Sequence, residues 1–283
     1  MIQRMRTCAA QTCDWQEYAP VLVSGLRGVL GGRLDVSGPA RDLHAGTFGG
    51  SVANPAEVLA ALIASLYDKT GRVSVARFYD DVHSMTDTER RHLALAGPSD
   101  EAMLAPAGAV TGHGEPGFSA FERSVRRPAV VVTDLRTSGR GRTVVPAWAA
   151  ADLNVRLAAG QQPGKIAETL RRHFRPRMPP GMRGRLLVRS SCPPYTLNQR
   201  APVVGAVRSA CRTVFGLEPL LLPSGGSIPF VSALADARHI DVALMGLGLP
   251  DDAIHAPNER FYLPNLFRGT ETCIELYRHL GHG

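Results

Sequence analysis

Apolar and polar positions alternate along residues 21–38, with a period typical of extended strands. A helix start follows, in which Asn54 supplies an N-cap, Pro55 the first helical position and Glu57 an acidic third residue. Apolar residues then recur at helical spacing: Val58, Leu59, Leu62, Ile63, Leu66. One face of this helix is therefore expected to pack on a sheet.

Two more strands, a helix and a last strand complete the first part of the pattern. Segments 128–135 and 143–157 predict strands joined by a Ser-Gly-Arg-Gly turn, whereas 72–127 shows mixed patterning with a loop at 112–117. A helix beginning at Pro163 places Ile166, Leu170 and Phe174 on one stripe, and 184–191 predicts a strand. Strand, helix, strand, strand, helix, strand is the split βαβ order of a ferredoxin-like α+β sandwich.

The pattern changes at Pro193-Pro194, which predicts a domain boundary. Beyond it come an apolar-striped helix, a short strand at 219–223, a glycine loop, another helix, the apolar run 241–248 and a last helix to Leu280. The run 241–248 predicts a central buried strand of a parallel sheet. These are pieces of an α/β domain, but about ninety residues are few for one. The sequence thus predicts a segment 1–20, an α+β domain at 21–192 and a partial α/β domain at 193–283.

Composition narrows the class of protein. The 283 residues are 44% hydrophobic and 20% charged, and they contain no apolar run long enough to span a membrane. The first fifteen residues lack the apolar core of a signal peptide, so the expected location is the cytoplasm. The five cysteines are odd in number and widely scattered, which favours buried reduced thiols over a zinc cluster.

The formal charge of +7 is carried almost entirely by arginine. The densest group, 171–185, resembles a phosphate-contact strip, but its first residues also fit the C-terminal end of a helix, where cations complement the dipole. No aromatic stacking platform accompanies the group. We therefore expect neither nucleic acid nor a membrane as a partner.

Six ordered motifs resemble signatures of one enzyme superfamily. They are DLHAGTFGGSVANP (42–55), RFYDDV (77–82), RTVVP (142–146), LNVRLAAGQQP (153–163), SGGSIP (224–229) and HAPNE (255–259). Together they are similar to the middle and C-terminal parts of the dinuclear zinc dipeptidases and aminoacylases, peptidase family M-20. The resemblance extends over about residues 20 to 283.

The resemblance implies a two-domain metallohydrolase that cleaves the amide bond of dipeptides or N-acyl amino acids. Residues 21–192 correspond to a lid domain that forms a homodimer, and 193–283 to the C-terminal part of a catalytic domain. Two zinc ions are bound in the family by a His-x-Asp motif, a Glu-Glu pair, a further Asp and the histidine of the HAPNE-like loop. Two such ions lower the pKa of a bound water and polarise the scissile carbonyl. His255 matches the last of these ligands.

This sequence departs from the family pattern at the metal ligands. No two glutamates are adjacent, and the chain begins only 20 residues before the lid, ahead of which the family carries its main ligands. Asp14 is the candidate for the remaining carboxylate ligand, and His255 is either a zinc ligand or a relic histidine bonded within its loop. We therefore expect an incomplete zinc site, a chain inactive alone, and possible completion by a separate N-terminal catalytic fragment. The alternative is a catalytically dead homologue that serves as a binding or dimerisation module.

Several residues match substrate contacts of the family. His44 corresponds to the lid histidine that stabilises the oxyanion in the partner's site, and otherwise it is a turn residue. Arg156 corresponds to the arginine that binds the substrate carboxylate, and otherwise it is a solvated strand arginine. The remaining matches to substrate-contact positions are Thr143, Ser224, Gly225, Gly226 and Ser227.

Overall fold

The computed structural model describes residues 19–238, 240–249, 252–253 and 256–281. Its strands are β1 (Val21–Leu26), β2 (Gly28–Ser37), β3 (Leu43–His44), β4 (Ala129–Thr137), β5 (Val144–Val145), β6 (Trp148–Leu157), β7 (Arg183–Cys192), β8 (Tyr195–Thr196), β9 (Leu220–Ser224) and β10 (Met245–Gly246). Its helices are α1 (Ala45–Phe48), α2 (Pro55–Ala64), α3 (Asp87–Ala96), α4 (Asp100–Leu104), α5 (Ala120–Arg126), α6 (Pro163–Phe174), α7 (Pro202–Phe215), α8 (Pro229–Arg238) and α9 (Leu263–Gly281). None of the described helices is long and apolar enough to cross a membrane.

The first sheet confirms the ferredoxin-like prediction. Its four strands lie in the order β4-β6-β2-β7, every pair is antiparallel, and α2 and α6 pack on one face. The core between them is formed by residues such as Leu34, Leu62 and Leu170, which are almost completely buried. Strands β4 and β7 are the two edges of this sheet.

Both predicted helix starts of this domain are present. The side chain of Asn54 accepts a hydrogen bond from Ala56 N–H at 2.9 Å, with Pro55 at the first position of α2. Helix α6 begins at Pro163 and buries Ile166, Leu170 and Phe174. The local capping chemistry and the apolar stripe therefore agree with the packing that the structure shows.

A second sheet is built around β1. Strand β1 pairs in parallel with β9 and antiparallel with β8 and β10, and all six of its residues are buried. These partners all come from the C-terminal part of the chain, whereas β2, which begins at Gly28, belongs to the first sheet. The chain returns beside this point, because a Cβ on Gly28 would lie 2.6 Å from the Cys192 carbonyl oxygen.

The segment predicted as mixed contains three helices. Capping boxes begin α3 at Thr86 and α5 at Ser119, each closed by a glutamate three residues later. His92 on α3 is hydrogen-bonded through Nε2 to the Leu221 carbonyl of β9 at 2.9 Å. The helices thus cover the outer edge of the second sheet, where a core forms from Val21, Leu93, Phe121 and Leu222 among others.

The apolar run 241–248 differs from its prediction. Only Met245–Gly246 forms a strand, and it pairs antiparallel with β1 instead of lying centrally in a parallel sheet. Leu244 and Met245 are nevertheless buried. The apolar run indicated burial correctly, but burial against helices does not require a long hydrogen-bonded strand.

Candidate functional site

The segment that carries His44 is fixed by a neighbouring carboxylate. Asp42 accepts hydrogen bonds from Ser138 Oγ at 2.5 Å and from Ala147 N–H at 2.9 Å, and it forms an ion pair with Arg142. These hydrogen bonds, that from Ser138 first, lower the pKa of the Asp42 carboxyl group. The carboxylate therefore stays ionised and holds the β3 segment against the turn that leads into β6.

This arrangement brings His44 and Thr143 together. Leu43 and His44 pair with Val145 and Val144, and the Thr143 carbonyl accepts from Ala45 N–H at 3.3 Å. Both side chains are exposed, and the His44 ring is 3.3 Å through Nδ1 from Thr47 Oγ1. The imidazole is thus oriented locally while its remaining surface faces solvent, as a group that contacts a ligand requires.

A second group forms at the other end of the lid sheet. Arg156 Nη1 donates to Ser227 Oγ at 3.2 Å, which joins β6 of the lid to the 224–227 loop. Within the loop, Gly226 N–H donates to Ser224 Oγ at 3.1 Å. Arg156 forms no ion pair with any described residue, so its guanidinium keeps donors for an external carboxylate.

Arg27, which no sequence motif indicated, lies beside this second group. Its Nε donates to the Gly225 carbonyl at 3.2 Å, and its Nη1 to the Arg127 carbonyl at 3.3 Å. Burial, and secondarily the charge of Arg156, lowers the pKa of Arg27 to about 10. The only sequence signal was an arginine between two apolar strand segments, and a single such residue is a weak indicator.

The two groups are well separated within one chain. Trp148, at the end of β6 beside the His44 segment, and Arg156 are eight residues apart on that strand. At about 3.3 Å per residue this is about 26 Å. His44 and Thr143 therefore cannot contact a small substrate held by Arg156 of the same chain.

The expected metal ligands are not tested by the structure. Asp14 and His255 lie outside the described residues. Among the residues that are described, no group of three or more His, Cys, Asp or Glu side chains could hold a metal ion. The described part of the chain therefore does not fit a zinc centre of its own.

Other acidic residues near the motifs have structural partners. Asp80 pairs with Arg77 at 2.9 Å and Asp81 with Lys165 at 2.6 Å, so this pair belongs to the lid surface. Asp252 is 2% exposed and accepts from Leu249 N–H at 2.6 Å, which ties it to the end of the 240–249 segment. These carboxylates stabilise local structure and do not pair with Arg156.

Comparison with known proteins gives the same superfamily. The profile of the M20 peptidase dimerisation domain matches residues 24–182. The yeast Saccharomyces cerevisiae Cys-Gly metallodipeptidase DUG1 is 27% identical over 264 residues, 89% of this chain and 54% of that protein. The human Beta-Ala-His dipeptidase is 26% identical over 267 residues, 89% of this chain and 51% of that protein.

Solved structures show the same fold. The dipeptidase Dug1p from Saccharomyces cerevisiae superposes with a TM-score of 0.80 at 24% identity, over 100% of this chain and 58% of that one. The M20 metallo-carboxypeptidase Sso-CP2 from Sulfolobus solfataricus gives 0.77 at 27% identity, over 91% of this chain and 59% of that one. The chain thus spans about half of the length of these curated relatives. With more than half of its residues matched by the dimerisation-domain profile, this chain belongs to the M20 peptidase family.

Proposed function

We propose that the chain forms the lid and the C-terminal catalytic part of an M20 metallopeptidase that hydrolyses the amide bond of dipeptides or N-acyl amino acids. The sequence predicts the lid at 21–192 and a partial catalytic domain at 193–283. In this proposal the lid begins at Arg27, because β1 pairs with strands of the C-terminal part. Metallodipeptidases among the relatives support this substrate class. The alternative is a dead homologue that binds carboxylates or dimerises without catalysis.

The observation that carries the proposal is the Arg156–Ser227 pair, in which Arg156 forms no ion pair with any described residue. A guanidinium with free donors and a hydroxyl 3.2 Å away suits the two oxygens of a terminal carboxylate. Gly225 and Gly226 allow the loop backbone to approach the same anion. This site would hold one end of a substrate, and the scissile amide would then lie a few ångströms further on.

In this proposal His44 comes from a second copy of the chain. An isologous dimer formed along the free edge of β4 would pair two β4 strands antiparallel, because the twofold axis reverses one of them. Thr137 lies opposite Ala149, near the His44 end of β6, whereas Ala129 lies opposite Arg156. Antiparallel pairing therefore aligns the His44 end of one copy with the Arg156 end of the other.

The distances favour the dimer over the single chain. In such a dimer the two β6 strands are separated by three strand spacings of about 4.8 Å, or about 14 Å. Within one chain, the His44 end of β6 is about 26 Å from Arg156. His44 and Thr143 can then reach over the shorter gap. The imidazole N–H would donate a hydrogen bond to the oxyanion that forms at the scissile carbonyl.

The β4 edge also has a surface suited to a homodimer. An apolar groove of about 710 Å³ lies between α2 and β4, lined by Leu59, Ile63, Leu135 and Trp148 among others. Leu135 is 60% exposed there. An exposed edge strand beside apolar helix surface favours pairing with an identical edge.

The zinc ions of this proposal are held by residues outside the described part of the chain. His255 and Asp14 remain candidates, and a further catalytic segment would supply the His-x-Asp and Glu-Glu ligands. The described residues provide no such site. What these residues do is bind the carboxylate, through Arg156, and donate to the oxyanion, through His44.

Complementation between two inactive variants tests the proposal. The chain is reconstituted with a relative's N-terminal segment that carries both missing motifs, in the presence of zinc, and assayed with Cys-Gly. His44→Ala and Arg156→Gln should each abolish hydrolysis, and refolding them together should restore about a quarter of the wild-type rate. Half of the randomly formed dimers are mixed, and each mixed dimer has one intact site out of two.

Arg185→Gln, at an exposed lid arginine, is the matched control and should keep full activity. Restoration by mixing supports a site shared between copies. Failure of wild-type chain to hydrolyse Cys-Gly on reconstitution, with retained carboxylate binding, would favour the dead homologue instead.

A further inference from the structure

Arg27 lies where the chain passes from one sheet to the other. Strand β1 ends at Leu26 in the second sheet, and β2 begins at Gly28 in the lid sheet. Arg27 is therefore the single residue between the two domains on this crossing. Its side chain contacts two segments that are distant in sequence, the 224–227 loop and the end of α5.

The side chain binds carbonyl groups from both sides of the domain junction. Nε donates to Gly225 O at 3.2 Å, and Nη1 donates to Arg127 O at 3.3 Å and to Arg123 O at 3.5 Å. The Arg27 backbone N–H also donates to the Ser224 carbonyl, at 3.4 Å. The 224–227 loop is thus tied both to the crossing and to the end of α5.

The charge of Arg27 is balanced by carbonyl dipoles. No described carboxylate forms an ion pair with it, and Arg156 is close enough to lower its pKa further after the effect of burial. The carbonyls of Arg123 and Arg127 belong to the C-terminal end of α5, the negative end of the helix dipole. A charged donor buried among carbonyls forms stronger hydrogen bonds than a neutral one would.

Gly225 supplies a second and independent constraint on the same loop. A Cβ at this position would lie 2.5 Å from the Ser124 carbonyl oxygen of α5 and 3.3 Å from Arg27 Nη2. The loop backbone therefore packs directly on α5, with no room for a side chain. Any residue larger than glycine would displace the loop or the end of the helix.

We propose that Arg27 is a positioning residue of the carboxylate site: it holds the 224–227 loop on α5 so that Ser227 Oγ stays within reach of Arg156. This inference rests on the proposed function, in which Arg156 and Ser227 bind a substrate carboxylate. The Nε and Nη1 groups of Arg27 donate to backbone carbonyls, so Arg27 acts on the carboxylate site through the loop. Its effect is therefore expected in substrate affinity and in loop order together.

Two measurements on the full chain test the role of Arg27. Hydrogen exchange followed by mass spectrometry reports the order of the 224–227 loop against the lid strands. Calorimetric titration compares N-acetylglycine, which carries a carboxylate, with N-acetylglycinamide, which does not. The variants are Arg27→Gln, Arg27→Lys and Gly225→Ala, with Ser227→Ala as the matched control.

Arg27→Gln should raise amide exchange in the loop about tenfold. It should also weaken N-acetylglycine binding about tenfold, because the charge-assisted hydrogen bonds that hold the loop are lost. Arg27→Lys retains the charge with fewer donors in the required directions, so it should restore binding in part. Gly225→Ala should reproduce both effects with both arginines present. Ser227→Ala should weaken binding while loop exchange stays at the wild-type level.

Unchanged loop exchange in Arg27→Gln would overturn the inference, and so would a loosened loop with undiminished N-acetylglycine binding. If Arg27→Gln raised exchange in the lid strands as much as in the loop, Arg27 would have a general structural role and the inference would also be overturned. The exception is the case in which Gly225→Ala still raises exchange in the loop alone. Equal binding of the acid and the amide by the wild type would overturn the carboxylate assignment, and thus the proposed function, whatever the loop does.

Discussion

His173 is a buried side chain that the proposed chemistry does not use. Its Nε2 lies 2.9 Å from Ser65 Oγ, and the Ser65 hydroxyl hydrogen is already donated to the Leu62 carbonyl at 2.7 Å. Ser65 therefore accepts from His173, which places the ring proton on Nε2. Burial, and secondarily the charge of Arg177, lowers the pKa of this imidazole.

The lowered pKa predicts a pH dependence of stability. Unfolded histidine has a pKa of about 6.5, so below that pH the unfolded chain binds a proton that folded His173 does not. The free energy of unfolding should therefore fall as the pH decreases from about 7 towards the folded pKa, and should be unaffected by His173 above about 7.

His173→Gln keeps a donor for Ser65 but cannot titrate. Denaturant unfolding between pH 5 and 7 should thus show a shallower slope for this variant than for the wild type. An identical slope in the two proteins would contradict the assignment of a neutral His173.

At the level of secondary-structure elements, the two edge strands of the lid sheet differ in chemistry. Strand β4 borders the apolar groove beside α2, whereas β7 borders a groove of about 900 Å³ that contains Arg171, Arg183 and Arg185 among its lining residues. Like charges at close range oppose the pairing of two identical edges. The homodimer is therefore expected at β4 and not at β7.

Leu135→Asp on β4 should weaken dimerisation roughly 30-fold or more, since a buried unpaired charge costs about 2–5 kcal/mol. Val188→Asp on β7 is the matched control, because Val188 is also an exposed aliphatic residue of an edge strand, and it should leave the dimer intact. Sedimentation equilibrium measures both constants. A dimer lost equally in the two variants would place the interface elsewhere.

Elements whose structure is decided by local chemistry were predictable from the sequence. The starts of α2 and α6 were predictable because Asn54, Pro55 and Pro163 act within their own turns. The assignment of β1 to the second sheet was not predictable, since both sheets accept an apolar strand and only its partners decide. Arg27 was missed for the same reason, because its acceptors are 96 to 198 residues away.

For the whole molecule, the proposed zinc chemistry depends on ligands beyond the described part of the chain. We expect the purified chain alone to lack a dinuclear zinc centre, because His255 and Asp14 together offer fewer than the three protein ligands that hold zinc tightly. Metal analysis after dialysis against zinc-free buffer checks this. Two zinc ions per chain would contradict it and would point to ligands that sequence reasoning did not identify.

The apolar face of α9 predicts a further packing partner. Leu263, Phe267 and Tyr277 are 62%, 65% and 73% exposed, although α9 packs against α7 on its other side. Large exposed apolar patches favour association. We propose that a catalytic-domain segment of the kind carried by the longer relatives covers this face.

Hydrogen exchange tests this proposal at the level of the molecule. Amides of α9 should exchange faster than those of β2 and β6 in the chain alone, and should slow when the N-terminal catalytic segment of a relative is added. Equal protection of α9 and the lid strands in the chain alone would contradict the expected difference. Solubility should rise together with the protection of α9.

The chain enters the lid sheet at Gly28 and leaves it at Cys192, and these two connections lie side by side. They form a pivot about which the lid can rotate, and the far end of the lid is a long way from it. A rotation of about 10° about this pivot would displace a group about 26 Å away by about 4–5 Å. Arg27 and the 224–227 loop lie beside the pivot and would hardly move. Small rotations would therefore leave the carboxylate site intact while moving the rest of the 193–283 part relative to the joined lids and to the His44 that the neighbouring copy supplies, which separates the binding of substrate from the completion of the reactive site.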